Sequence, residues 1–188
     1  MNNPEYVKVG DKKYKINTDF RVAIECDSIS KSNVGDYEKL LAIIYLLFGE
    51  EGLNDFDNHN RLFELAQKYL NCGKEYKSSN EKPDMDFKKD LDYIEASFMS
   101  DYRIDLSKEK MHWWTFYKLI TGLSNSEMGN CCVLNRVRNI RNMNLSEISD
   151  SKTRQKIAKA KELVSLDEIK PNQEQQDVAN KFWEEMGM

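Results

Sequence analysis

The side chains that carry most enzymatic chemistry are few in this sequence, and their spacing isolates them. The two histidines, His59 and His112, fall in different helical segments. His112 has no second histidine at i+4 and no glutamate at a metalloprotease spacing. A hydrogen-bonded place at the edge of a core is its expected role. Of the four cysteines, Cys131 and Cys132 are adjacent and have no second pair or histidine cluster at ligand distance, so no metal site is expected. All four read as free thiols, with Cys26, Cys72 and one of the adjacent pair acting as small buried apolar groups.

The carboxylates are more suggestive. Asp84, Asp86, Asp90 and Asp92 crowd the start of a helical pattern, and Asp101 and Asp105 follow it. An acid/base pair needs a pocket that drives two pKa values apart. Periodicity instead places these acids on a water-facing side, where they complement the positive end of a helix dipole. No Gly-x-Ser-x-Gly elbow and no glycine-rich phosphate loop is present, and the eight glycines are dispersed. Arg136, Arg138 and Arg141 are expected to complement the negative end of a helix. The formal net charge of −4 argues against a polyanion as main partner, and a regulator that binds nucleic acid through these arginines is the least favoured binding reading. No catalytic residue, metal or cofactor is therefore assigned, and the expected activity is binding.

The elements that would present a binding surface follow from periodicity. Alternation over Tyr6 to Ile16, broken at Gly10-Asp11, predicts a β-hairpin that must lie on helices. Asn17 or Thr18 is expected to cap a helix carrying Phe20, Ile24 and Ile29. After Gly35-Asp36 the run Leu40 to Phe48 is apolar on every side, too short for a bilayer, and is expected to sit at the centre of the core until Gly49 stops it. Leu62, Leu65, Ala66, Tyr69 and Cys72 mark a helix that Gly73 ends in a left-handed cap. Lys74 to Asp86 is polar and aperiodic. A helix from Phe87 carries Leu91, Ile94, Phe98 and Tyr102 inward.

Ser107 is expected to cap the next helix, where Trp113, Phe116, Tyr117, Ile120 and Leu123 share one face. Trp114 points away from that face, between Lys110 and Lys118, either of which could cover its ring. Ser124-Asn125-Ser126-Glu127 has capping-box spacing and precedes Met128, Cys131, Leu134 and Val137. Beyond Asn144, residues Ser149 to Val164 predict a charged helix with a thin stripe of Ile157, Ala160 and Val164. After Pro171 a last short helix places Val178, Phe182 and Met186 on one side, with Trp183 adjacent; it either docks back or occupies a groove elsewhere.

The expected architecture is mainly α, a multi-helix bundle of about six to eight helices with a short N-terminal β-hairpin. Residues 1–144 form the hairpin plus helical core, and 145–188 the charged helix and amphipathic tail. The candidate protein-binding residues are Lys110, Trp114, Lys118, Phe182, Trp183 and Met186. No secretory signal is evident at the N-terminus and no membrane association is expected.

Asp92-Tyr93-Ile94, Ser97-Phe98, Tyr102, Ile104-Asp105-Leu106, His112-Trp113-Trp114-x-Phe116 and Gly122-Leu123 together resemble the signature of the bacteriophage gene-product-fifteen family of siphophage tail-module proteins. Tyr14-x-Ile16-x-Thr18-Asp19-Phe20-Arg21 and Ser151-Lys152-x-x-Arg154 fit the same family, so the likeness covers most of the chain. It implies a non-enzymatic tail-assembly chaperone that coats the tape-measure protein while the tail tube polymerises. The major tail protein is a second candidate partner, and self-association remains open. It further implies a place in the host cytoplasm and absence from the mature virion. A structural tail or connector protein is the alternative.

Overall fold

The computed structural model describes residues 3–75, 82–125 and 131–166. The chain forms two units, Met1–Met143 and Asn144–Met188. The described residues are mainly α-helical, with seven α-helices and one two-stranded antiparallel hairpin.

In the hairpin, β1 (Tyr6–Val9) pairs with β2 (Lys12–Lys15) in the register Tyr6 with Lys15 and Val9 with Lys12. Gly10, at φ 58°, supplies the positive φ that the first position of a two-residue loop demands. Tyr14 and Ile16 are buried, so one face lies on the helices, as two strands alone would not persist.

Helix α1 (Phe20–Lys31) starts one to two residues later than a cap at Asn17 or Thr18 would have it. Asp19 is the cap, its carboxylate accepting the Arg21 N–H at 3.0 Å. The delay has a tertiary cause. The Asn17 N–H donates to Leu47 O, the Trp113 N–H to Thr18 O and the Phe20 N–H to Met111 O, which hold 17–19 extended beside 111–113.

Helix α2 (Asp36–Leu53) packs against α1 and α3 (His59–Leu70). Helix α4 (Leu91–Tyr102) packs against α5 (Trp113–Thr121) and α6 (Val133–Asn142). α4 begins four residues after Phe87, because Phe87 to Asp90 form turns. α2 contributes Ile43, Ile44, Leu47 and Phe48 to the core, and an aromatic stack joins three of the other helices. Phe116 lies 4.6 Å from Phe20 and 5.2 Å from Phe98, both nearly parallel, so α1, α4 and α5 meet on one ring.

The cap of α5 is His112, not Ser107. Its Nδ1 accepts the Trp114 N–H at 3.0 Å, and its Nε2 lies 3.0 Å from Pro4 O, an arrangement that fits the Nε2–H tautomer. The cap of α6 is Cys132, not Ser124; Cys132 is buried where Cys131 had been expected to be, and Met128 lies outside the described residues. The Leu134 N–H at the start of α6 donates to Ser97 Oγ of α4 at 3.0 Å, so one helix caps another. In the second unit, α7 (Ser151–Leu163) is capped by Asp150, whose carboxylate accepts the Thr153 N–H.

Candidate protein-binding surface

The run Leu40 to Phe48 is not covered on every side. Ile43, Ile44, Leu47 and Phe48 are inside, whereas Tyr37 and Tyr45 are 62% and 50% exposed. Tyr37, Leu41 and Tyr45, spaced four apart, form a stripe along α2 with Leu41 half-buried between the two rings. Val34, 51% exposed, precedes it. The expectation that this helix is packed on every side fails here. A tyrosine within an otherwise aliphatic run was the available signal, since its hydroxyl asks for water or a partner.

At its C-terminal end the stripe opens into a groove of about 900 Å³, bounded by Tyr45 to Glu50, by Lys15 to Asp19 and by Lys110 to His112. The groove exists because α2 breaks there. Gly49 has φ 66° and ψ −158°, a conformation essentially restricted to glycine, which turns the chain away after Phe48. The edge opposite is the extended segment pinned to Leu47 O and to Met111. Lys15 and Lys110 are exposed at the rim, while Asp19 is engaged by the Arg21 guanidinium.

Of the residues singled out from sequence, Lys110 borders this groove; Trp114 and Lys118, on α5, are not among the residues that line it. Trp114 is half-buried on the end of α3. Its indole N–H donates to Tyr69 O at 2.9 Å, its ring stacks on Tyr69, and a Cβ on Gly73 would come within 3.3 Å of it. Trp113 donates to the next carbonyl, Leu70 O, at 2.9 Å. The two tryptophans thus share one task, donating to carbonyls at the C-terminus of α3, of which Tyr69 O also accepts the Cys72 N–H at 2.9 Å. The lysine over an aromatic ring of this helix is Lys74, 5.2 Å from Tyr117. Phe182, Trp183 and Met186 lie outside the described residues.

Burial governs the thiols. Cys26 is fully buried and pushed up to about 12 by that burial, and half-buried Cys72 is raised to about 11 for the same reason. Cys72 does not continue α3; at φ 54° it occupies the left-handed position after the helix, one residue before Gly73 at φ 73°. The acids differ most from expectation. Asp90 is 1% exposed and bonds Arg141 through both oxygens at 2.7 Å, while the same guanidinium donates to Asp84 O. Arg138 pairs with Asp84 at 3.1 Å. Burial alone would raise Asp84, but the hydrogen bonds from Arg138 and Asn142 outweigh it and hold its carboxyl below the usual range. Arg138 and Arg141 therefore hold α6 to the 84–90 segment, Arg141 doing so from the last turn of α6.

The fold and its surface define a hairpin-bearing helical domain that offers its surroundings an apolar helix stripe running into an open groove. The family described as Bacteriophage Gp15 protein matches residues 2–166, and the chain belongs to that family. No curated protein and no solved structure shows a significant match. Among the described residues, no helix is long and apolar enough to cross a membrane.

Proposed function

We propose that this phage protein is a non-enzymatic tail-assembly chaperone that holds the tape-measure protein during polymerisation of the tail tube. The observation that carries the reading is the exposed Tyr37, Leu41 and Tyr45 stripe leading into the groove beside Lys110. Tyrosines are favoured anchors, because they bury large area at little entropic cost and keep a hydroxyl for the rim. A stripe of about two turns suits a client helix with apolar residues at i, i+4 and i+8. Family membership supplies the phage context.

The reading places the protein in the host cytoplasm during assembly and outside the finished particle. Purified tape-measure fragments should be retained by the immobilised protein, and the paired change Tyr37→Ala with Tyr45→Ala should weaken retention about tenfold or more, as loss of two anchors implies. Absence of retention above background would exclude the reading. Stoichiometric copies in purified virions, measured by mass spectrometry, would instead make it a structural tail component.

A further inference from the structure

The exposed stripe of α2 is symmetric in sequence and polar in charge. Tyr37, Leu41 and Tyr45 stand at equal four-residue steps and read the same from either end. At the N-terminal end of the stripe Asp36 and Glu38 are exposed, and among the described residues neither forms an ion pair. At its C-terminal end lie Lys15 and Lys110, exposed on the groove rim and likewise without an ion pair among the described residues. Asp19 in that groove is neutralised by Arg21, and Glu50 offsets part of the lysine charge. Beside Leu41 the adjoining row of side chains presents the small Ala42, itself half-buried, so a furrow runs along the stripe.

We propose that a second copy of this chain covers the stripe. The two α2 helices pack antiparallel about a twofold axis beside Leu41, with Tyr37 of each against Tyr45 of the other. Asp36 and Glu38 of each copy then face Lys15 and Lys110 of the other.

Symmetry supplies the first argument. A closed dimer requires a surface that is its own complement, on which two residues exchange places across the axis. The tyrosine, leucine, tyrosine pattern meets that condition only about its middle residue. Rows of side chains at four-residue steps interlock between helices at a crossing of about 50°, and Ala42 leaves space for the incoming row. Charge supplies the second argument and fixes the direction. A parallel pair would set Asp36 and Glu38 against the same acids of the other copy, whereas the antiparallel pair joins acids to lysines at both ends.

The contact is small. The stripe spans roughly 12 Å of helix, so the pair covers far less than the roughly 1,600 Å² of a standard interface, and the copies exchange readily. The pairing does not rest on the client reading. Where both hold, the second copy and the client compete for the same tyrosines, and self-association keeps the stripe from water until a client displaces it.

The test is sedimentation equilibrium of the full chain, without client, from about 1 μM to about 1 mM. A reversible dimer is expected within that range. Tyr45→Ala should weaken it at least about tenfold. Lys15→Glu with Lys110→Glu should weaken it at least about fivefold, and so should Asp36→Lys with Glu38→Lys, because each pair sets like charges together at both ends. Unchanged circular dichroism checks that these exposed substitutions leave the helices intact. An equal mixture of the two charge-reversed proteins should dimerise within about twofold of the unaltered chain, since opposite charges then meet at both ends. A monomer at every concentration would leave the stripe to the client alone and overturn the proposal. So would association that continues past the dimer, a dimer indifferent to Tyr45→Ala, or a charge-reversed mixture that does not recover. Because no client is present, failure here is distinct from failure to retain tape-measure fragments.

Discussion

Asp90 and Arg141 face each other through two parallel hydrogen bonds of 2.7 Å, with the carboxylate 1% exposed and the guanidinium 10% exposed. The carboxylate also accepts the Asp86 N–H at 3.0 Å. One guanidinium therefore joins the start of α4 to the end of α6 and organises the approach to α4. Such a pair gains little over an apolar pair, but breaking it strands a charge in the interior.

Arg141→Ala or Asp90→Ala should cost about 3–5 kcal/mol in urea unfolding, because each leaves its partner buried and uncompensated. Arg141→Lys should recover only part of the loss, since an ammonium cannot reproduce the planar two-bond contact. The double change Asp90→Ala with Arg141→Ala should cost much less than the sum of the single losses.

Ser97→Ala removes the hydroxyl that receives the Leu134 N–H and itself donates to Tyr93 O. Both partners are inside the α4 and α6 contact, and the stranded N–H sets the cost at about 1–3 kcal/mol. Ser97→Thr keeps the hydroxyl and should fall well below that if its added methyl is accommodated. Thermal and chemical unfolding of the three proteins separate the two effects.

Backbone conformation makes two opposite predictions. Gly49→Ala meets no atom within 4 Å of the new Cβ, so its cost of about 1–3 kcal/mol is purely the φ/ψ penalty, and it should also distort the groove. Arg103, exposed and left-handed at φ 60° after α4, is the reverse case. Arg103→Gly should raise stability by up to about 1 kcal/mol, read as a higher unfolding midpoint.

The Lys12, Tyr14 and Asp55 cluster joins the hairpin to the connection between α2 and α3, and predicts pH dependence at both extremes. Asp55 is held at about 2 by hydrogen bonds from Lys12, Tyr14 and Asn58. Its contribution is present above the ordinary carboxylate value and is lost as pH falls from about 4 to about 2. Tyr14 is pushed up to about 12 by burial and by the Asp55 carboxylate, so its contribution holds below about 10 and is lost as pH rises from there to about 12. Asp55→Asn should flatten the acid limb of stability against pH.

Trp114→Phe offers a separate check on the binding surface. Losing the N–H to Tyr69 O should cost about 1 kcal/mol. Retention of tape-measure fragments should be unchanged if the client lies on α2. Equal loss with Tyr45→Ala would place the client on α5 as well.

Local pattern determined a good deal of this molecule. The alternation around Gly10-Asp11 specified the hairpin, and the i, i+3, i+4 apolar spacings of α1, α3, α5 and α7 specified helices, because backbone hydrogen bonding and side-chain direction leave few other ways to bury such stripes. The resemblance read from the residues around His112-Trp113-Trp114 agrees with the family match over residues 2–166. Tertiary structure decided what spacing along one chain could not express. Asp90 looked like a solvated helix-end acid until Arg141, fifty-one residues later, came to lie against it. Trp114 looked free until the end of α3 presented the Tyr69 carbonyl, and the caps at Asp19, His112 and Cys132 were selected by chain crossings rather than by their own neighbours. The stripe on α2 is exposed for the same reason. Hydrophobicity says that a residue gains from burial, but only the arrangement of the other helices determines which flank they reach, and Tyr37 and Tyr45 are on the flank they leave open.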